Sequence, residues 1–210
     1  MTVTTYDELN RLNGVQKSMS FDDYFGEMVI SEEQKDKRKK LADSFFDEFV
    51  FVLAWAFYTA QQRAITAKEI EPVLKEHYEK AAKNGVDIEG DIKEYIDNIV
   101  IEISETTANR QDSEYTFTED RARLLAENES NTLLNMQEFK DAKEVGYRYK
   151  RWNTIIDGKE RDTHAFAEGQ ERPIDEPFEV GGYYMNFPKD DSFGASPEEI
   201  INCRCSVTFF

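Results

Sequence analysis

At 210 residues, with 40% apolar and 33% charged side chains, the chain can bury a sizeable core and is too apolar to stay disordered. Its 43 acidic and 26 basic residues give a formal charge of −17, which argues against general nucleic-acid binding, because that affinity rests on clustered Lys and Arg. The polar start lacks a signal-peptide core and the greasiest run, Phe49 to Ala60, is too short to span a bilayer, so a cytosolic protein with no membrane partner is expected.

Residues 1–30 read as an N-terminal arm, polar with isolated aromatics Phe21, Tyr24 and Phe25 that are expected to dock on the body. A helical region follows over residues 31–112. Ser31-Glu-Glu-Gln34 is a capping box, in which the serine oxygen caps the helix start and Gln34 reaches back. The helix it opens is predicted to run to about Gln62, with charged first turns (Lys35 to Lys40). Its second half is apolar on nearly every face from Leu41 to Phe57, as in a helix buried in its own core or against another chain.

Thr66-Ala-Lys-Glu69 is a second capping box, and Pro72 implies either a kink or a start near Glu71. Asn84-Gly85 stops this helix, and His77 within it reads as a surface residue. A third helix, from about Gly90 to Arg110, carries Ile92, Tyr95, Ile96, Ile99 and Ile103 near a 3.6 period. Thr118 caps a fourth and longer one that ends before Gly146.

After Gly146 the texture changes. Tyr147 to Ile156 is aromatic and β-branched, and Asp157-Gly158 signals a turn. The stretch from Ala167 to Ala195 is rich in Gly and Pro, with Asp190-Asp191 read as solvated loop charges. Ser196-Pro-Glu-Glu199 predicts a one-turn helix, and Cys205 to Phe210 a closing strand. The fold class is therefore α+β: a mainly helical N-terminal region, then a long helix and a small mixed α/β, loop-rich domain over residues 113–210.

Both cysteines lie in Asn202-Cys203-Arg204-Cys205. Alternation along a strand puts Cys203 and Cys205 on one face and Arg204 on the other. His164 reaches that face if its segment and that of Trp152 are neighbouring strands. Two thiolates and an imidazole make a three-ligand set suited to zinc, with Asp162 or water as a fourth ligand. The same residues also fit a buried pair of small side chains beside a hydrogen-bonded histidine, or a Cys–Cys bond. Arg161 can hold a carboxylate bidentately, Glu129 or Asp157, and Asn202 can satisfy backbone groups at the last turn. Arg148, Lys150 and Arg151 form a local basic cluster, as do Lys35 to Lys40.

Trp152-x-Thr154, the Asp157 turn, Arg161-x-x-His164, Gly169, Phe178, Pro188 and Asn202 to Cys205 together resemble the C-terminal domain of minor head proteins of tailed phages, the Mu F-protein-like head morphogenesis family. Arg121 to Glu129, with Asn135, resembles the family's preceding helix; Glu127 and Asn128 stand where the family usually has Arg and Thr. The resemblance covers about residues 115–210. It implies a structural, non-enzymatic phage or prophage minor capsid protein, made in the bacterial cytoplasm and sited in the virion. The implied partners are the portal and other capsid proteins, and the implied role is head assembly and DNA packaging or delivery. Some relatives fuse this domain to a toxin; with Cys205 five residues from the end, no C-terminal effector is expected here. Glu129, Asn135, Trp152, Arg161 and Asn202 are then signature residues with structural roles. No cofactor is expected beyond a possible zinc. The alternative on the same residues is a zinc-dependent or thiol hydrolase using His164, Cys203 and Cys205; a further one is an adaptor that binds partners through the apolar helix Leu41–Tyr58.

Overall fold

The structure, a computed structural model, describes residues 20–210. Most of the arm lies outside the described residues. Its end forms α1 (Phe21–Phe25), whose Phe21 and Phe25 are buried as expected of docked aromatics. The helices that follow are α2 (Glu32–Ala60), α3 (Ala67–Ala82), α4 (Gly90–Asn109) and α5 (Glu119–Val145). A 3-10 turn, Glu114–Phe117, precedes α5. The C-terminal part adds β1 (Tyr149–Asn153), α6 (Asp162–Ala167), β2 (Glu171–Pro173), β3 (Phe178–Val180), β4 (Tyr183–Met185), α7 (Pro197–Ile200) and β5 (Ser206–Phe209). This is an α+β fold.

The chain forms two compact units among these elements, residues 40–127 and residues 20–39 with 128–210. In the first, α2 presents Leu41, Phe45, Phe49, Val52, Leu53 and Ala56 on one buried face, while Phe51 and Tyr58 remain exposed. The helix is thus one-sided and not buried all round. Tyr78 of α3 sits edge-on to Phe45 at 4.7 Å between ring centroids. The Thr66 capping box is formed, with the Thr66 N–H donating to Glu69 Oε2 at 3.0 Å, so α3 starts at Ala67 and carries Pro72 inside it. The proline is tolerated because the carbonyl it leaves without an N–H belongs to Lys68, which is exposed to water. His77 is half-buried, paired with Glu48 and stacked on Phe51 at 4.5 Å, and so more enclosed than a surface residue.

In the second unit, β1 is the centre of a three-stranded antiparallel sheet in the order β2-β1-β5, with Trp152 opposite Val207. A second sheet is the β3-β4 hairpin. Trp152, Phe178, Val180, Met185, Cys203, Cys205 and Val207 form the core. The strands are short and the loops long, so many backbone groups need partners from outside the sheets.

Side chains of α5 supply them. Asn131 donates to the carbonyls of Cys203 (3.2 Å) and Cys205 (3.3 Å), and Asn135 to that of Pro188 (3.3 Å). Asn128 Oδ1 accepts from the Asn202 N–H at 3.0 Å, and its Nδ2 donates to Asn202 Oδ1 at 3.0 Å. Arg38, fully buried on α2, fixes the carboxamides of Asn131 and Asn135 by donating to both Oδ1 atoms (3.1 and 3.0 Å), and its fork grips Glu138 (2.8 and 2.9 Å). Replacing Arg38 by Met should cost about 3–5 kcal/mol, because Glu138 and two carboxamides lose a charged partner in a dry setting. Urea unfolding of the wild type and Arg38→Met would measure it; a cost below about 1 kcal/mol would show the network to be dispensable.

Candidate functional site

The candidate site is built where the segment before β5 meets α6. The Asp157-Gly158 turn forms as the sequence predicts: Asp157 Oδ1 accepts from the Lys159 N–H at 3.0 Å and Gly158 has φ +80°. The turn delivers the chain to Arg161, which precedes α6. His164 therefore arrives on a helix and not on a strand next to β1. Cys203 and Cys205 precede β5 and lie outside the ladder, yet both are buried and Arg204 turns to the other side.

The three groups converge. His164 Nδ1 lies 3.6 Å from Cys203 Sγ and 3.3 Å from Cys205 Sγ, and the three ligand atoms all fall within 4.8 Å of one another. On the far side of the ring, Nε2 lies 3.0 Å from Glu199 Oε2, which also accepts from Thr163 Oγ1 at 2.8 Å. The Cys205 N–H points at Cys203 Sγ from 3.4 Å. Thr154 completes the frame: its hydroxyl donates to the His164 carbonyl (2.8 Å) and accepts from Trp152 Nε1 (3.0 Å). The indole meets the imidazole edge-on at 6.0 Å.

The electrostatics separate the two thiols. Burial alone would raise Cys203, but hydrogen bonds from Cys205 and His164, and the imidazole charge, bring it well below the ordinary thiol range. Burial holds Cys205 well above that range, and the neighbouring Cys203 adds to the effect. Burial lowers His164, yet the Cys203 hydrogen bond and charge outweigh it and leave the imidazole raised.

Other expected residues are placed differently. Asp157 is gripped by Arg204 (2.8 Å to each oxygen), which holds its carboxyl at about 2; Arg161 instead donates to the Ile201 carbonyl. Asn202 takes φ +57°, a left-handed turn that asparagine tolerates, and is held by Asn128. Asp162 is exposed at the start of α6, away from the converging atoms. Asp190, expected in solvent, is buried; its carboxylate accepts from the N–H groups of Asn186 (2.7 Å) and Ser192 (3.0 Å), fixing a turn. Glu129 and Asn135 are buried on α5.

Glu199, Asn128, Asn131 and Lys189 were missed by sequence reasoning. Asn128, Asn131 and Asn135 do carry a signal: their spacing puts three asparagines on one helical face. Nothing near Glu199 marks it as the partner of a histidine 35 residues away. Gly181 (φ +59°) is tied to it, since a Cβ there would lie 2.5 Å from Glu199 Oε1.

The basic clusters are largely spent inside the fold. Lys35, Lys37, Arg38 and Lys39 pair with Glu32, Glu33, Glu138 and Asp22. Arg151 pairs with Glu171 opposite it on β2. Lys150 shares the inward face of β1 with Trp152; its ammonium donates to the Asn186 carbonyl at 2.7 Å and lies 4.6 Å from the centre of the Phe139 ring. Burial pushes its pKa down to about 8. Folded, Lys150 loses its proton near 8, and unfolded near 10.5, so the penalty is complete below pH 8 and disappears as pH rises toward 10.5. The stability of the wild type relative to Lys150→Met should therefore rise by roughly 1–3 kcal/mol between pH 7 and pH 10. Denaturant titrations at both pH values would show it; a flat difference would place the charge in a well-solvated setting.

A family model described as Phage Mu protein F like protein matches residues 60–208, and the chain belongs to this family. The chain is also similar to the NAD(+)–arginine ADP-ribosyltransferase EFV of Enterococcus faecalis, with 36% identity over 70 residues. Those residues make up 33% of this chain and 14% of that relative, so the chain spans only a small part of its length. No solved structure matches.

Proposed function

We propose that this Mu F-like chain is a minor capsid protein, held at the portal or the inner face of the prohead, that serves head assembly and DNA packaging or delivery. The observation that carries the reading is the family match over residues 60–208, a phage head family of structural proteins. The sequence signature sits within it: Trp152 and Cys205 are core, and Asn135 and Asn202 brace the loops. The transferase activity in the name of the E. faecalis relative is that protein's own.

Partners of this kind are other head proteins. Among the described residues no helix is long and apolar enough to cross a membrane. DNA is disfavoured as a direct ligand by the net charge and by the pairing of Lys35, Lys37, Arg38, Lys39 and Arg151 with the chain's own acids. The Arg148→Ala Arg151→Ala variant should change DNA affinity less than twofold and leave its salt dependence unaltered. A large, salt-dependent loss would establish a DNA role.

The capsid role is tested by fractionating a lysate of induced host cells. The chain should sediment with proheads and portal at a few copies per particle, and a portal gene should lie directly upstream of its own. Recovery only in the free protein pool would sink the proposal.

One observation favours a second reading, a thiol hydrolase. Cys203, His164 and Glu199 are ordered as nucleophile, base and orienting carboxylate. Thiol titration with iodoacetamide against ester turnover separates the two: the capsid reading expects no turnover that the reagent abolishes.

A further inference from the structure

Cys203 and Cys205 present a problem of valence. If the His164 Nε2–H donates to Glu199, Nδ1 has one lone pair, and if the ring is protonated Nδ1 has one proton. Two sulfurs nevertheless converge on that one atom, at 3.6 and 3.3 Å. One hydrogen bond cannot serve both well. A cation held between the three atoms can, because each then directs its own lone pair at the ion.

The dimensions suit one ion in particular. Zinc takes sulfur at about 2.3 Å and imidazole nitrogen at about 2.0–2.1 Å in a tetrahedron, which separates the S and N ligands by about 3.6 Å. The observed separations lie within a few tenths of an ångström of that. The rest of the pocket supplies the outer support such sites use. Glu199 receives the distal ring nitrogen, which fixes the tautomer that leaves Nδ1 free to bind, and Thr163 holds Glu199 in turn. The Cys205 N–H is aimed at Cys203 Sγ, where it stabilises thiolate charge. The three ligands border a small cleft that Thr154, Glu160, Arg161 and Asn202 also line, with room for a water.

We infer that His164 Nδ1, Cys203 Sγ and Cys205 Sγ form a zinc site, completed by a water from the cleft, that clamps α6 to the segment leading into β5. Binding to the two thiols releases two protons and leaves a site of two thiolates, one neutral imidazole and one water. Its role is structural. In a unit whose strands run three to five residues, the ion joins a short helix and a loop segment that the sheet does not pair directly. Gly181 is part of the design, because any side chain there would push Glu199 away from the ring. The site stands apart from the capsid role, and either can fail without the other.

The full chain, purified under reducing conditions and stripped with a chelator, should bind one Zn2+ with a Kd below about 1 μM. Co2+ in its place should give a thiolate-to-metal charge-transfer band. Zinc should raise the melting temperature by roughly 5 °C or more. Cys203→Ser Cys205→Ser should abolish binding, while Glu199→Gln and Gly181→Ala should weaken it about 10–100-fold with the circular dichroism spectrum unchanged. Three results would overturn the inference: no thiolate–cobalt band in the wild type, zinc affinity that survives loss of both cysteines, or a mass and thiol count showing Cys203 bonded to Cys205 in the protein as isolated. The cobalt band is read on the wild type, so the test stands even if the double variant fails to fold.

Discussion

The C-terminal unit depends on a single buried guanidinium. Arg38 touches three residues of α5 at once, and the two carboxamides among them hold backbone that no strand satisfies. An asparagine side chain can rotate, and in a wet or loose setting its amide would exchange donor for acceptor freely. Fixing Oδ1 on a charged donor fixes Nδ2 as well, so each carboxamide is pre-set to donate outward to a loop carbonyl. Desolvating the guanidinium is costly, and the Glu138 carboxylate offsets that by taking both ends of the fork. Charge, carboxamides and loop carbonyls therefore form one arrangement, complete only when all are in place.

That arrangement sets where the candidate site lies. Asn131 holds the carbonyls of Cys203 and Cys205, so these side chains have little freedom other than to turn inward toward His164. Asn128 grips the left-handed turn at Asn202 directly before them and also receives Lys189, whose pKa burial pushes down to about 8. From the other side Trp152 and Thr154 hold the backbone of α6 through the His164 carbonyl. Three separate elements are thereby brought to one point, and of these groups Thr154 also meets the Cys205 thiol, at 3.5 Å.

Much of this was legible in the sequence, for identifiable reasons. Ser31, Thr66, Thr118 and Gly146 mark helix ends because capping and left-handed stops are local and need no tertiary knowledge. Trp152, His164, Cys203 and Cys205 stood out because they are rare. Long-range polar pairing was not legible. Arg161 is the arginine that the sequence offers to Asp157, and only the fold brings Arg204, 47 residues away, to it instead. Lys150 read as a surface cation because of its neighbours Arg148 and Arg151. The two-residue period of β1 places it with Trp152, and that signal was available: in a strand with an inward tryptophan, the residue two before it faces inward too. Asn128 was noticed only as a departure from the family pattern, although it makes some of the hydrogen bonds that matter most.

The same ion pairs limit how far the chain can bind a polyanion such as DNA. A chain with 26 basic residues could still carry a phosphate-binding stripe, whatever its net charge. What thins the two candidate stripes is geometry. Lys35, Lys37, Arg38 and Lys39 face acids on their own helix, on α1 and on α5, and the run from Arg148 to Arg151 has its centre buried and one flank paired across the sheet. Each cation so used would have to give up an ion pair before it could take a phosphate, and the buried ones would have to leave the core. The pairs so formed commit Lys35, Lys37, Arg38, Lys39 and Arg151 to the fold's own acids.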